Sequence, residues 1–145
     1  MPEGGEGLAG ELVEGGHVLR QRVYFEDTDF TGLVYHARYL HFMERGRSDY
    51  LRLLGIGHRA LAEEGLSFAA VRMEIDFRKP ARIDDVMTVR TLLAGLSGAR
   101  LTLAQRVETG ATLLVEAEVT IAMIRADGRP VRLPPAIHAA FARAQ

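Results

Sequence analysis

The stretch that decides the fold is residues 23–52, VYFEDTDFTGLVYHARYLHFMERGRSDYLR. It joins a carboxylate-rich turn to the longest amphipathic helix in the sequence. Residues 26–33 combine short carboxylates, two threonines and a glycine, which is the composition of a turn. Wound at 3.6 residues per turn, residues 35–54 separate apolar from charged side chains. The sequence therefore predicts a helix over 35–54 that Gly55 ends.

The predicted helix has one broad apolar face and one polar face. The apolar face is expected to contain Tyr39, Leu40, Met43, Gly46, Tyr50, Leu51, Leu53 and Leu54. The polar face is expected to contain Arg38, His41, Arg45, Ser48, Asp49 and Arg52. A helix of this kind buries its apolar face against another element.

Outside this segment the sequence alternates with a period of two, which indicates strands. One strand is predicted before the helix, over residues 17–25. Four follow it, over 71–78, 85–93, 99–107 and 111–125, with short helices at 58–65 and 135–142. This order predicts an α+β fold in which an antiparallel sheet curves around the long helix.

The composition of the chain excludes several classes of function. The length of 145 residues, 48% of them hydrophobic, predicts a single domain. The net charge of −1 predicts no general affinity for nucleic acid. Cysteine is absent, which excludes thiolate chemistry and fits a reducing cytoplasm. Residues 1–16 are glycine-rich and acidic, so we expect a flexible tail rather than a secretory signal. Residues 17–145 are expected to form the domain, with no membrane span.

Asp29 stands immediately ahead of the predicted helix start. The backbone N–H groups of Val34, Tyr35 and His36 would there lack intrahelical partners and carry the positive end of the helix dipole. Such N–H groups can polarise a carbonyl, and a neighbouring carboxylate can attack it or activate water. An aspartate at this position can equally serve as a helix cap, and both roles can coexist.

The run that starts at Asp27 also resembles a calcium-binding loop. Arg38, however, stands at the twelfth position, where calcium requires a glutamate. His36 and His41 are five residues apart and point to different faces of the predicted helix, which disfavours a shared metal. The sequence therefore predicts no metal site.

EDTDFTGLVYHARYLHFMERGR, residues 26–47, resembles the signature of the Tol–Pal-associated acyl-CoA thioesterases, in the 4-hydroxybenzoyl-CoA thioesterase branch of the hotdog superfamily. The resemblance extends over residues 22–125, and RKPARIDDV at 78–86 supports it. It implies a hotdog fold and hydrolysis of acyl-CoA without a metal or redox cofactor. It also implies homodimers whose sheets join edge to edge, often paired into homotetramers, with active sites at the subunit boundary.

The resemblance also assigns candidate site residues. The catalytic positions fall on Asp29, Tyr35 and His36: Asp29 supplies the carboxylate, and the carbonyl-polarising N–H falls near His36. Substrate-binding positions are expected at Gly32, Val34, Tyr39, Glu44, Arg78 and Lys79, with Arg82 and Arg100 as further candidates for the coenzyme A phosphates.

Glu44, Arg47 and Gly46 on the predicted helix are interpreted as structural residues. Glu44 and Arg47 are three residues apart near the apolar face, so a structural ion pair at the dimer contact is favoured over a catalytic role. Gly46 stands where related sequences have alanine, a change expected to affect helix packing.

The sequence also allows two other functions. A hotdog hydratase or dehydratase would need a histidine and an acid poised for proton transfer, to which His36 with Asp29 or Glu44 is a poor match. A non-catalytic module that binds acyl-CoA or acyl-carrier protein is the second. The acyl group itself depends on pocket shape, to which Phe30, Tyr39, Phe42 and Phe68 are candidates to contribute.

Overall fold

The computed structural model describes residues 7–144. Their elements are, in chain order, β1 (Glu11–Val13), β2 (Gly16–Arg22), a 3-10 turn (Phe25–Asp27), α1 (Arg38–Leu53), α2 (His58–Glu63), β3 (Leu66–Phe77), β4 (Val86–Leu96), β5 (Arg100–Thr109), β6 (Thr112–Arg125), β7 (Pro130–Val131) and α3 (Pro135–Ala144). None of these helices is long and apolar enough to cross a membrane.

Within residues 7–144, seven strands form one antiparallel sheet in the order β1-β2-β4-β5-β6-β3, with β7 paired to β6. The predicted architecture of one antiparallel sheet packed against one long helix is confirmed. Tight connections make β4, β5 and β6 sequential neighbours. Residues 78–85 instead carry the chain from β3, at one edge of the sheet, to β4 in its middle.

The predicted flexible tail, residues 1–16, requires correction. Residues 1–6 lie outside the described part of the chain. Glu11–Val13 forms strand β1 and pairs with β2, which itself begins at Gly16. The glycine-rich composition suggested a tail. In the structure, however, Gly15 forms the turn of this hairpin, where its φ of 72° lies in the left-handed region that favours glycine.

The long helix begins at Arg38, three residues later than predicted. The preceding residues are held by long-range backbone bonds: Val34 N–H donates to the Ala81 carbonyl (2.9 Å) and Tyr35 N–H to the Asp27 carbonyl (3.1 Å). Because both N–H groups have distant acceptors, the chain stays irregular until Ala37, which serves as the N-cap.

The core consists of two clusters, one under each half of α1. The predicted helix faces are wrong at two positions. Leu40 is 38% exposed, whereas Asp49 is only 8% exposed. Asp49 is buried because it accepts hydrogen bonds from the His17 ring (2.6 Å) and the Gly10 N–H (2.8 Å) and pairs with Arg52.

Gly46 lies on the buried face of α1, where an added Cβ would stand 2.8 Å from a methyl group of Val89. We expect Gly46→Ala to lower the free energy of unfolding by about 1 kcal/mol, since overpacking outweighs the gain in helix propensity. Urea unfolding measures the change. In a Val89→Ala background the same substitution should become stabilising; stabilisation in the wild-type background would contradict this packing argument.

Candidate active site

Asp29 lies in a short loop whose two ends are joined by a bridge between Thr28 and Val34. Within the loop, Asp29 N–H donates to the Leu33 carbonyl (2.9 Å) and Gly32 N–H donates to the Asp29 carbonyl (3.1 Å). Gly32 has a φ of 80°, which favours glycine at this turn. These backbone bonds therefore fix the shape of the loop that carries Asp29.

The Asp29 carboxylate is exposed but held on one side. Its Oδ1 accepts hydrogen bonds from the Thr31 hydroxyl (2.5 Å) and the Thr31 N–H (2.8 Å). The Thr31 hydroxyl contributes most to holding the pKa of Asp29 below its ordinary value of 3.8. The carboxylate is consequently ionised at neutral pH, and within residues 7–144 its Oδ2 has no hydrogen-bond donor.

Thr31→Val should raise the pKa of Asp29 toward 3.8 because it removes the hydroxyl donor and keeps the backbone N–H. If the ionised form of Asp29 is the active one, the wild-type enzyme stays active down to a lower pH than Thr31→Val does. A ¹³C NMR titration of the Asp29 carboxyl measures the shift. Thr28→Val is the matched control, since its hydroxyl donates to the Phe25 carbonyl. An unchanged pKa in Thr31→Val would contradict the assignment.

A second carboxylate, Asp27, attaches this loop to the helix. Asp27 is 4% exposed, and its two oxygens accept from the Tyr24 N–H (2.8 Å) and from Nε of Arg38 (2.7 Å). Its carbonyl accepts from Tyr35. Because Arg38 is the first residue of α1, Asp27 fixes the Asp29 loop against the start of the helix.

The N–H groups available at the helix start differ from those predicted. Val34 and Tyr35 already donate within the chain, so neither can polarise a substrate carbonyl as expected. For His36 and Ala37, no acceptor lies among residues 7–144. These two N–H groups precede α1 and stand at the positive end of its dipole, where an oxyanion is stabilised.

A cavity of about 190 Å³ reaches His36 at the start of α1 and is lined by Val34, His36, Tyr39, Phe77, Arg78, Lys79 and Pro80. The buried Tyr39 hydroxyl accepts a hydrogen bond from the Ala81 N–H (2.9 Å), and burial raises the pKa of Tyr39. Tyr39 therefore forms a neutral wall of the cavity, while Phe77 contacts the His36 ring with centroids 6.0 Å apart. The mostly apolar lining suits an acyl chain or the arm of a thioester.

The structure gathers some of the predicted site residues and separates others. Val34, Tyr39, Arg78, Lys79 and His36 share the cavity. Asp29 and Gly32 lie outside its lining, on the exposed loop, and Tyr35 is exposed beside the His36 ring.

Glu44 and Arg100 lie away from this cavity. Glu44 lines a different cavity, of about 100 Å³. Arg100 pairs with Ala122 on β6, eight residues from Leu114, which accepts from the Arg78 N–H. This places Arg100 roughly 26 Å along the sheet from Arg78. Glu44 and Arg47 are also not paired as predicted, because Arg47 instead donates to Gln105 Oε1 (2.9 Å).

Three features of the site were not predicted from the sequence. Thr31 as the holder of Asp29 could have been recognised, since an acceptor two residues before a threonine is the spacing of an Asx turn. The free N–H of Ala37 and the bond between Asp27 and Arg38 depend on where the helix begins, which no local pattern reveals.

Comparisons with known proteins agree with this architecture. A family model described as the thioesterase-like superfamily matches residues 23–141. The acyl-CoA thioesterase YbgC of Haemophilus influenzae is 39% identical over 132 residues, which cover 90% of this chain and 97% of the relative. The acyl-CoA thioester hydrolase YbgC of Escherichia coli O157:H7 is 38% identical over 122 residues, covering 83% and 91%.

A solved structure agrees as well. The crystal structure of a "Probable Thioesterase" from Bartonella henselae is 48% identical and superposes with a TM-score of 0.79, covering 82% of this chain and 99% of that one. The hotdog fold and the family implied by residues 26–47 are thereby confirmed. The chain belongs to the thioesterase-like superfamily and, within it, to the YbgC-like acyl-CoA thioesterases.

Proposed function

We propose that this protein hydrolyses acyl-CoA thioesters to a free acid and coenzyme A. The thioester carbonyl binds the N–H groups of His36 and Ala37, and Asp29 either attacks the carbonyl carbon or removes a proton from the attacking water. Coenzyme A leaves as a thiolate, and in the case of direct attack water then hydrolyses the acyl anhydride formed on Asp29 to release the acid. This leaving group is stable enough that the reaction needs neither strong acid catalysis nor a metal or redox cofactor.

One observation carries this proposal. An ionised carboxylate with a free oxygen, Asp29, belongs to a loop that Asp27 fixes to a helix start with two free N–H groups. A nucleophile or base is thus attached to an electrophile-polarising element, which is the arrangement acyl transfer requires. The 190 Å³ cavity supplies the adjoining apolar surface.

The basic residues near the cavity support recognition of a coenzyme. Arg78 and Lys79 line it, and Arg82 forms a bridge with Leu33 at the Asp29 loop. Arg78 donates to Glu116 (3.1 Å), which neutralises part of its charge. We therefore assign the phosphates of coenzyme A chiefly to Lys79 and Arg82.

We further propose that the protein acts as a homo-oligomer, a dimer or a pair of dimers. Among residues 7–144, the twelve-residue strand β3 ends the sheet, and its outer edge has no partner strand. The strand has a register shift at Val71, and Val71 is 47% and Phe77 50% exposed. A long edge of this kind pairs readily with a second chain. A second exposed apolar surface surrounds the Asp29 loop and contains Tyr24, Phe25, Phe30, Tyr35, Ile83 and Val86. Two such surfaces support a homotetramer with active sites at the subunit boundaries.

We also propose a cytoplasmic location, with which the absence of cysteine is compatible.

The proposed reaction is tested by measuring thiol release from short, medium, long and aromatic acyl-CoAs. We expect steady turnover with at least one of them, and the best substrate identifies the acyl class. Binding of acyl-CoA without thiol release would contradict hydrolysis and favour a binding module. Loss of enoyl absorbance without thiol release would instead identify a hydratase.

A further inference from the structure

The side of α1 that faces β3 carries a cation and an anion that do not pair with each other. The Arg47 guanidinium is half-buried, and its single hydrogen bond in the described chain goes to the neutral amide oxygen of Gln105 (2.9 Å). Burial lowers the pKa of Arg47, and the distant charge of Glu44 offsets this only in part. A half-buried cation without a contacting carboxylate is costly unless something else covers it.

Glu44 is the complementary group. It is exposed, lies one helical turn before Arg47, and has no cation within salt-bridge distance among residues 7–144. The two residues line the same cavity of about 100 Å³, together with Ser48, His58, Phe68 and Ala70. Opposite charges are thus about 4.5 Å apart along the axis of one helix.

The position of this cavity relates the two charges to the edge of the sheet. Ala70 and Phe68 belong to β3, whose midpoint lies between Val71 and Arg72. Glu44 and Arg47 on α1 therefore share a cavity with the half of the edge strand that precedes its midpoint. A second copy that pairs with β3 about its midpoint would bring the same stretch of its own α1 to this place.

We propose that Glu44 of one chain pairs with Arg47 of a second copy, and Arg47 with the partner's Glu44, across a two-fold axis near the middle of β3. The inference rests on the proposed homo-oligomer and specifies its interface. In an isologous contact the same patch meets itself, so each pair is formed twice. A patch that carries both charges side by side is complementary to itself, which favours a second copy over any other occupant.

The two pairs would also fix the register of the interface. Strand β3 carries a register shift at Val71, and both of its faces are partly exposed, so backbone pairing alone specifies the register of a partner strand only weakly. When the strands slip, each Arg47 loses the Glu44 of the second copy, so the two ion pairs favour a single alignment. Correct alignment in turn determines how the two Asp29 loops are placed relative to the neighbouring chain.

Two charge reversals test this interface by mixing. E44R gives a chain with two cations on the patch, and R47E gives a chain with two anions. Each variant alone places like charges opposite each other, so we expect its dimer dissociation constant to rise about 100-fold. An equimolar mixture of the two restores both pairs, and we expect a heterodimer close to wild-type affinity. Analytical ultracentrifugation with one chain fluorescently labelled measures all three states.

E14R is the matched control, since it makes the same charge change on the exposed turn at the opposite edge of the sheet. Circular dichroism checks folding; should R47E not fold, R47Q replaces it, and the mixture with E44R then regains one pair. A mixture no tighter than the separate variants would overturn reciprocal pairing. Wild-type affinity in each variant alone would overturn the interface itself. A monomeric wild type would overturn the homo-oligomer, while thiol release in the same samples reports independently on hydrolysis.

Discussion

Asp29→Asn is expected to lower kcat/KM for acyl-CoA hydrolysis about 10³-fold. Asparagine keeps the shape of the side chain, and its oxygen can still accept from the Thr31 hydroxyl and N–H. It can neither attack a carbonyl effectively nor accept a proton from water at neutral pH. The substitution thus removes the nucleophile or base and leaves the conformation of the loop unchanged. Thiol release under single-turnover and steady-state conditions measures the loss.

The control for this substitution is Asp127→Asn, which alters an exposed aspartate in the turn after β6. We expect that variant to retain the wild-type rate. We also expect Asp29→Asn to bind acyl-CoA with unchanged affinity, because the cavity and the N–H groups of His36 and Ala37 are intact. A rate within tenfold of wild type in Asp29→Asn would contradict a catalytic role for this carboxylate.

Asp49→Ala is expected to lower the free energy of unfolding by about 3 kcal/mol. Asp49 accepts from the Gly10 N–H (2.8 Å) and the fully buried His17 ring (2.6 Å), and it pairs with Arg52. Its removal leaves His17 and Gly10 without an acceptor inside the protein. Urea unfolding at pH 7 and a fixed protein concentration measures the loss, with Glu63→Ala on the exposed end of α2 as the control.

The contribution of Asp49 should depend on pH. Burial alone would raise the pKa of Asp49, but the bonds from Gly10, His17 and Arg52 outweigh it and hold the pKa below 3.8. A carboxylate with a lowered pKa stabilises the fold above its unfolded pKa and loses this effect as pH falls through the folded value. The difference between wild type and Asp49→Ala should therefore shrink in acid. A pH-independent difference, or unchanged hydrogen exchange at the Gly10 amide, would argue against this explanation.

The parts of the fold that a local pattern encodes were predictable. The alternation in residues 111–125 and the 3.6-residue period after Arg38 depend on burial of one face, and both elements form. The strand at Glu11–Val13 was missed because its pairing with β2 and the bond from Gly10 to Asp49 outweigh an unfavourable composition. Asp49 was assigned to the wrong face for the same reason, since His17 lies 32 residues away in the sequence.

The candidate site shows a similar division. The chemistry of Asp29 follows from a turn placed ahead of a helix, which the sequence displays. The identity of the free N–H groups does not, because it depends on Ala81 and Asp27 accepting from Val34 and Tyr35. Spacing likewise suggested a pair between Glu44 and Arg47, whereas the direction of the side chains sends Arg47 to Gln105. Long-range partners therefore decide the details that spacing leaves open.

In the proposed mechanism, Asp29 and the start of α1 act on the same carbonyl. The most direct measurement is a crystal structure of Asp29→Asn with an acyl-CoA analogue whose sulfur is replaced by methylene, so that the carbonyl is kept and cannot be hydrolysed. We predict that the carbonyl oxygen lies about 3 Å from the backbone nitrogen of His36 or Ala37, with residue 29 beside the carbonyl carbon. An acyl group bound elsewhere, with both N–H groups facing solvent, would contradict this mechanism.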